Sequence, residues 1–363
     1  MSLLHELLIR AAELDASDIH LKVNEQAIFR VHANLTDSGS PIITGDLMAE
    51  LIDEMLPTHT KKQYEQRHEV DFSMEEVEVG RYRVNIFLSQ GLPCVAMRHV
   101  KTNIPSFEEL HLPPILKDIA ASQRGIVLTT GTTGSGKSTT LAAMIQHINV
   151  TGKRRIITVE DPIEYVFEDD QSIISQREVG LDTVSFHAAL KYVLRQDPDV
   201  IMVGEMRDAE SFSAALVASE TGHLVFSTVH TDTASQTVSR ILNFFPFTER
   251  DQIRMSLATN LRAVMCQRLI PSIQGGVVPA IEIMVNTPTV RKLMEKNQLE
   301  KLSAAIETGS EDGMQTFNQA IYQMIRNGMI TEDEGMPRAT NPETLKMNLK
   351  GIFLDEARRI LST

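Results

Sequence analysis

With 363 residues and 42% hydrophobic content, the chain can bury a core in each of two average-sized domains. Its 48 acidic residues outweigh 35 basic ones, leaving a formal net charge of −13. Only 5% of residues are aromatic and tryptophan is absent, so a nucleic-acid groove built from cations and stacking rings is not expected. Cys94 and Cys266 stand apart without C-x-x-C spacing, which excludes a disulfide framework or a cysteine zinc site and suits a reducing cytoplasm.

Leu3, Leu4, Leu7 and Leu8 alternate with His5, Glu6 and Arg10, the spacing of an amphipathic helix and not of a signal peptide. No run of about 18 apolar residues occurs, so no transmembrane segment is expected. Residues 1–100 then predict strands at 21–23, 28–31, 80–88 and 95–100, with helices at 47–56 and 59–66 separated by Pro57. That is a small α+β domain. Residues 101–114 carry Pro105, Pro113 and Pro114 with little periodicity and read as a linker.

From residue 115 to 363 the pattern becomes α/β. Apolar runs at 126–130, 156–160, 200–204 and 224–229 are of the kind buried on both faces of a mostly parallel sheet. Phe186, Ala189, Leu190, Val193 and Leu194 form a helical stripe between two of them. Such a sheet binds its ligand at the carboxyl ends of the strands. Beyond His230 the pattern predicts helices at 234–243, 249–270, 289–298, 314–327 and 342–362, with one strand after Gly275-Gly276, as a bundle packed on the sheet.

The chemistry concentrates at that carboxyl edge. Gly131, Thr132, Thr133, Gly134, Ser135, Gly136, Lys137, Ser138 and Thr139 fill every position of the G-x-x-x-x-G-K-[ST] phosphate loop, between a strand and a helix as the motif requires. The glycines let successive amides face a polyphosphate, Lys137 reaches the β- and γ-phosphates, and the Ser138 hydroxyl serves Mg²⁺. ATP with Mg²⁺ is the expected ligand. Three carboxylates, Glu160, Asp161 and Glu164, follow one strand, and Glu205 ends another. An ATPase needs two such groups, one for the metal shell, partly through water, and one for the attacking water. His230 closes a strand at the same edge as a γ-phosphate sensor, and His223 precedes that strand as a further candidate for the nucleotide.

These segments together resemble the secretion and pilus ATPases, in particular the PilT/PilU retraction branch. The resemblance spans the chain: Ser17-Asp-Ile-His-Leu21, Gly80-Arg-Tyr-Arg83, Gln176-Arg-Glu-Val-Gly180, Leu194-Arg-Gln-Asp-Pro-Asp-Val200, Glu220-Thr-Gly-His223 and Gly313-Met-Gln-Thr-Phe317. It implies a PAS-like first domain, a RecA-like second domain, a ring of six subunits and nucleotide held between domains that move on hydrolysis. It further implies Glu164 as catalytic base, Glu205 as the Mg²⁺-associated residue, and Arg83 and Arg98 as arginines reaching the nucleotide, often from a neighbouring position in the ring. The implied partners are the inner-membrane platform protein of a type IV pilus and a paralogous retraction ATPase, with the ring on the cytoplasmic face at the pilus base. The chain departs from the branch at Thr289-Val-Arg-Lys292, where Ala-Ile-Arg-Asn is usual. Assembly and type II secretion ATPases usually add an N-terminal domain and a four-cysteine zinc insertion, neither of which is seen here.

Overall fold

A computed structural model describes residues 2–31, 34–58, 60–77, 79–100 and 103–353. His59, at the start of one expected helix, residues 101–102 of the expected linker, and the stretch 354–362 of the last expected helix lie outside them. The chain divides into two compact units. The first comprises residues Met1–Asn103 with the short segments Pro162–Val166 and Gly180–Asp182; the second comprises the remainder.

The first unit contains α1 (Leu3–Glu13), β1 (Ala16–Lys22), β2 (Ile28–Val31), β3 (Asn34–Asp37), α2 (Gly45–Met55), α3 (Lys61–Arg67), β4 (Glu69–Glu76), β5 (Gly80–Ser89) and β6 (Leu92–His99). Helix α1 begins where the Ser2 hydroxyl accepts the His5 amide proton, and it buries Leu4, Leu7, Leu8 and Ala11 along one stripe. The strands form an antiparallel sheet in the order β3-β2-β1-β6-β5-β4. Ile19, Phe29, Met48, Tyr82 and Ile86 meet in its core. Strands β3 and β4 have no counterpart in the sequence expectation. β4 is acidic, which lowers its strand propensity, but Val70 and Phe72 face inward and residue-by-residue pairing with β5 holds it in place.

The second unit begins with α4 (Ile115–Ala120), β7 (Gly125–Thr130), α5 (Lys137–Thr151), β8 (Arg155–Glu160), β9 (Ile173–Glu178), α6 (Phe186–Val193), β10 (Val200–Val203), α7 (Ala209–Glu220) and β11 (Leu224–Val229). It continues through α8 (Ala234–Leu242), α9 (Arg250–Asn260), β12 (Leu261–Pro271), β13 (Val277–Val285), α10 (Pro288–Glu295), α11 (Leu302–Thr308), α12 (Phe317–Arg326), α13 (Glu332–Gly335) and α14 (Pro342–Leu349). The sheet order is β13-β12-β7-β11-β10-β8-β9, parallel except for the β12/β13 pair. Strands β7, β10 and β11 are buried at every position, as their unbroken apolar runs require.

One expected element changes type. The helix expected over 249–270 stops at Asn260, and Leu261–Pro271 is a strand inserted between β7 and β13. Ala263, Val264, Met265 and Cys266 are all buried. A strand buried on both faces shows no alternation, so its apolar run is indistinguishable by period from a buried helix; pairing on two sides decides the matter. The region beyond His230 therefore extends the sheet by two strands, and α12 packs on β13.

Phe226 lies in the middle of β11 with no exposure. Phe226→Ala should destabilise the fold by about 3–5 kcal/mol through lost burial and a residual cavity. Urea unfolding midpoints check this, and a shift smaller than that of a surface substitution would contradict the central placement of the strand.

Candidate active site

Strand register assembles the site. Val229 of β11 pairs with Thr130 of β7, so His230 leaves the sheet beside Gly131. Val203 of β10 pairs with Ser227, and the Met206 amide donates to the Thr228 carbonyl at 3.1 Å, which brings Glu205 to the same edge. The phosphate loop, Glu205 and His230 thus share the carboxyl end of three adjacent parallel strands, where an α/β sheet binds its ligands.

The loop has the backbone of an anion cradle. Gly131, Gly134 and Gly136 adopt φ of +143°, +77° and +85°, open to glycine and strained for side chains. Gly136 occupies the N-cap of α5 and no side chain caps that end, so the first amides of a 15-residue helix are left for a ligand and carry its positive end. The Ser135 hydroxyl is buried in the loop and has no hydrogen-bond partner among the described residues. Lys137 is buried, and its Nζ donates to the carbonyls of Gly131 (3.1 Å) and Thr132 (2.9 Å), which holds the ammonium over the loop. A cavity of about 360 Å³ opens beside it, bordered by Gly131, Thr133, Ser135, Asp232, Arg268 and Arg338.

Glu205 is half-buried and shared between two partners, Arg207 and His230. One oxygen lies 2.6 Å from Arg207 Nη2, the other 3.0 Å from His230 Nε2. The Arg207 guanidinium titrates above its ordinary value, through the hydrogen bond to Glu205 first and the carboxylate's charge second. Glu160 ends β8 but is buried, accepting from Thr158 Oγ1 at 2.6 Å and Gln176 Nε2 at 3.2 Å. The Ser138 hydroxyl, in the first turn of α5, and the Glu205 carboxylate are hard oxygen donors at one edge. Such a sparse set suits Mg²⁺, which takes one or two protein oxygens beside phosphates and water. Among the described residues no cluster of three or more His, Cys, Asp or Glu could hold a metal by itself.

The structure does not bring every expected residue to the loop. His223 lies at the amino end of β11, where its carbonyl accepts from the Gly125 amide, a six-residue strand away from Gly131. At ~3.3 Å per residue that is about 20 Å, so this chain's own His223 does not reach its own phosphate loop. Its Nδ1 pairs instead with the Ala218 carbonyl at 2.8 Å. Glu164 is exposed and lies in the segment Pro162–Val166, which clusters with the first unit, so the three carboxylates at 160–164 do not form one group.

Arg83 and Arg98 belong to the first unit, directly paired across β5 and β6. Facing cations repel, and each is matched by an acid. Arg98 Nε lies 2.8 Å from Asp18 Oδ1, and Arg83 Nε 3.6 Å from Asp71 Oδ1. Burial pushes the Asp18 carboxyl up, but hydrogen bonds from Ser17 and Arg98 and the Arg98 charge prevail and hold it below its ordinary value.

Residues that sequence reasoning passed over also shape the site. Gln267 of β12 is buried against the loop, and Arg268 stacks 3.8 Å over the Phe317 ring while donating to the Arg338 carbonyl at 2.6 Å. Reading β12 as a helix concealed both. Arg207 follows Glu205 by two residues and could have been found from that spacing.

A phosphate loop on a parallel sheet, with a strand-end carboxylate and histidine at the same edge, defines a RecA-like P-loop ATPase of α/β type. The family model described as type II/IV secretion system protein matches residues 1–276, and the chain belongs to that family. It is 43% identical over 319 residues to a twitching motility protein of Neisseria gonorrhoeae, covering 88% of this chain and 85% of that one. Over 338 residues it is 40% identical to the type IV pilus retraction ATPase PilT of Pseudomonas aeruginosa, covering 93% and 98% respectively. A crystal structure of the pilus retraction motor PilT with bound ADP matches with a TM-score of 0.89 and 40% identity, over 95% of this chain and 99% of that one.

The Asp18 arrangement sets a pH dependence. Because its folded-state pKa is depressed, its stabilisation is complete above the unfolded value of about 3.9 and is lost as pH falls through the lower folded value. Asp18→Asn should cost about 1.5–3 kcal/mol at pH 7, the worth of hydrogen bonds to a charged group. Denaturant midpoints of the two proteins should converge on acidification, and a gap that persists in acid would contradict the ion pair.

Proposed function

We propose that this chain is an ATP-hydrolysing motor of type IV pilus retraction. The observation that carries the reading is the edge shared by the phosphate loop, Glu205 and His230, in a chain 40% identical to a pilus retraction ATPase over nearly the whole of both. The chain works as a homo-oligomeric ring, most simply a hexamer, bound peripherally at the cytoplasmic face of the inner membrane. Its partner there is the platform protein of the pilus.

In this reading the amides of Gly134 to Ser138 and the Lys137 ammonium seat the β- and γ-phosphates. Ser138 and, partly through water, Glu205 would hold Mg²⁺, which would supply charge neutralisation for the phosphates. His230, paired with Glu205, reports the γ-phosphate. Glu164 accepts the proton of the attacking water. Arg83 and Arg98 supply guanidinium charge from the first unit, within the chain or across a ring boundary, to the transferring phosphoryl oxygens. Departure of the phosphate product removes the anion that these arginines hold, and hydrolysis in this way moves one domain against the other. Thr289-Val-Arg-Lys292 opens α10 and exposes Arg291 and Lys292, and this departure favours a second reading, an accessory motor acting beside a paralogous retraction ATPase.

Three measurements test the roles. Lys137→Ala should abolish tight ATP binding, whereas normal turnover in that variant would overturn the loop assignment. Glu164→Gln should keep binding and lower kcat on the order of 10²–10⁴-fold if the carboxylate is the base. Deleting the gene should leave cells with excess, non-retracting pili; bald cells would point to assembly instead, and normal twitching to an accessory role.

A further inference from the structure

Register places Cys266 of β12 opposite Thr130, the last residue before the loop, so Gln267 stands beside Gly131. Gln267 is 3% exposed and is not part of the phosphate-loop motif. It touches the loop at both ends. Its backbone carbonyl lies 2.5 Å from where a Cβ on Gly131 would stand, and its side-chain Nε2 lies 2.8 Å from the corresponding point on Gly136. Its Oε1 accepts the buried Thr140 hydroxyl proton at 2.8 Å, one turn into α5. Leu269, two residues on and therefore on the same face of β12, packs 3.6 Å from the Gly136 position.

We infer that Gln267 is a positioning residue for the nucleotide site: from a neighbouring strand it braces the first and last glycines of the loop and the first turn of α5. Two segments of sequence far apart in the chain, 131–140 and 267–269, thereby hold one curvature. An amide cradle binds a polyphosphate well only if its N–H groups are aligned beforehand, because aligning them on binding subtracts from the affinity. A neutral amide does this without placing a charge beside the phosphates. The inference rests on the loop's reading as a nucleotide site.

The test compares Thr140→Val, Thr140→Ser, Gln267→Ala and the double variant Thr140→Val/Gln267→Ala in the assembled protein, with Lys137→Ala as the control for the loop itself. Displacement of a fluorescent ADP analogue gives affinities, and phosphate release gives KM and kcat. Thr140→Val should weaken ATP and ADP binding about ten-fold, near the worth of one buried hydrogen bond with its unsatisfied partner. KM should rise to match, while kcat stays within about three-fold. Thr140→Ser, which keeps the hydroxyl, should bind like the unaltered protein, and the double variant should be no weaker than Gln267→Ala alone.

Unchanged affinity in Thr140→Val, with binding lost in Lys137→Ala, would overturn the positioning role and leave the nucleotide reading intact. A lowered melting temperature with unchanged affinity would mean that Gln267 only packs. Additive effects in the double variant would mean that the two residues act separately. Because Thr140→Val nearly preserves volume, the outcome does not depend on Gln267→Ala folding. Failure of the unaltered protein to bind nucleotide would sink the loop reading and this inference with it.

Discussion

Parallel pairing of β7 with β11 on one side and β12 on the other is the constraint from which the rest of the site follows. A parallel sheet aligns the carboxyl ends of its strands, so every residue that leaves a strand there emerges at one edge. Gly131 and His230 meet because Thr130 and Val229 end their strands in step, and Glu205, two residues beyond Val203, joins them through the Met206–Thr228 backbone hydrogen bond. A slip of one residue in β11 would turn Phe226 to the opposite face of the sheet, against neighbours not shaped for it, and carry His230 away from Glu205. The apolar pressure that buries Ile126, Val127, Val225 and Phe226 therefore also sets the geometry of the polar edge.

At that edge the polar groups already hold one another in place before any nucleotide is considered. Glu205 is flanked by Arg207 and His230, and the Lys137 ammonium is held by loop carbonyls. These contacts hold the Glu205 carboxylate and the Lys137 ammonium in fixed positions, the preorganisation that electrostatic catalysis requires. The first unit uses a similar economy: two arginines face each other across neighbouring strands, and Asp18 and Asp71 make that tolerable.

Much of the site was legible in sequence because its motifs are local. Loop curvature is encoded by three glycines within six residues, and Lys137 and Ser138 follow in the same turn. The unbroken apolar runs of β7, β8, β10 and β11 likewise announced a buried sheet. Three readings failed where the deciding contact was distant. β12 looked helical because a doubly buried strand has no period of its own. Glu160, Asp161 and Glu164 looked like one carboxylate cluster, yet Glu160 turns inward to Thr158 and Gln176. His223 looked like a further candidate for the nucleotide, yet within this chain it lies at the amino end of the strand whose other end leads to His230.

By itself, then, the order of residues determined what could bind: a polyphosphate-shaped turn, an ammonium, a hydroxyl and strand-end carboxylates on a parallel α/β frame. Only tertiary structure decided which of these stand together, because side-chain proximity at the sheet edge depends on strand order and register. Those are set by pairing between segments as distant as Thr130 and Cys266, and no local pattern carries that information.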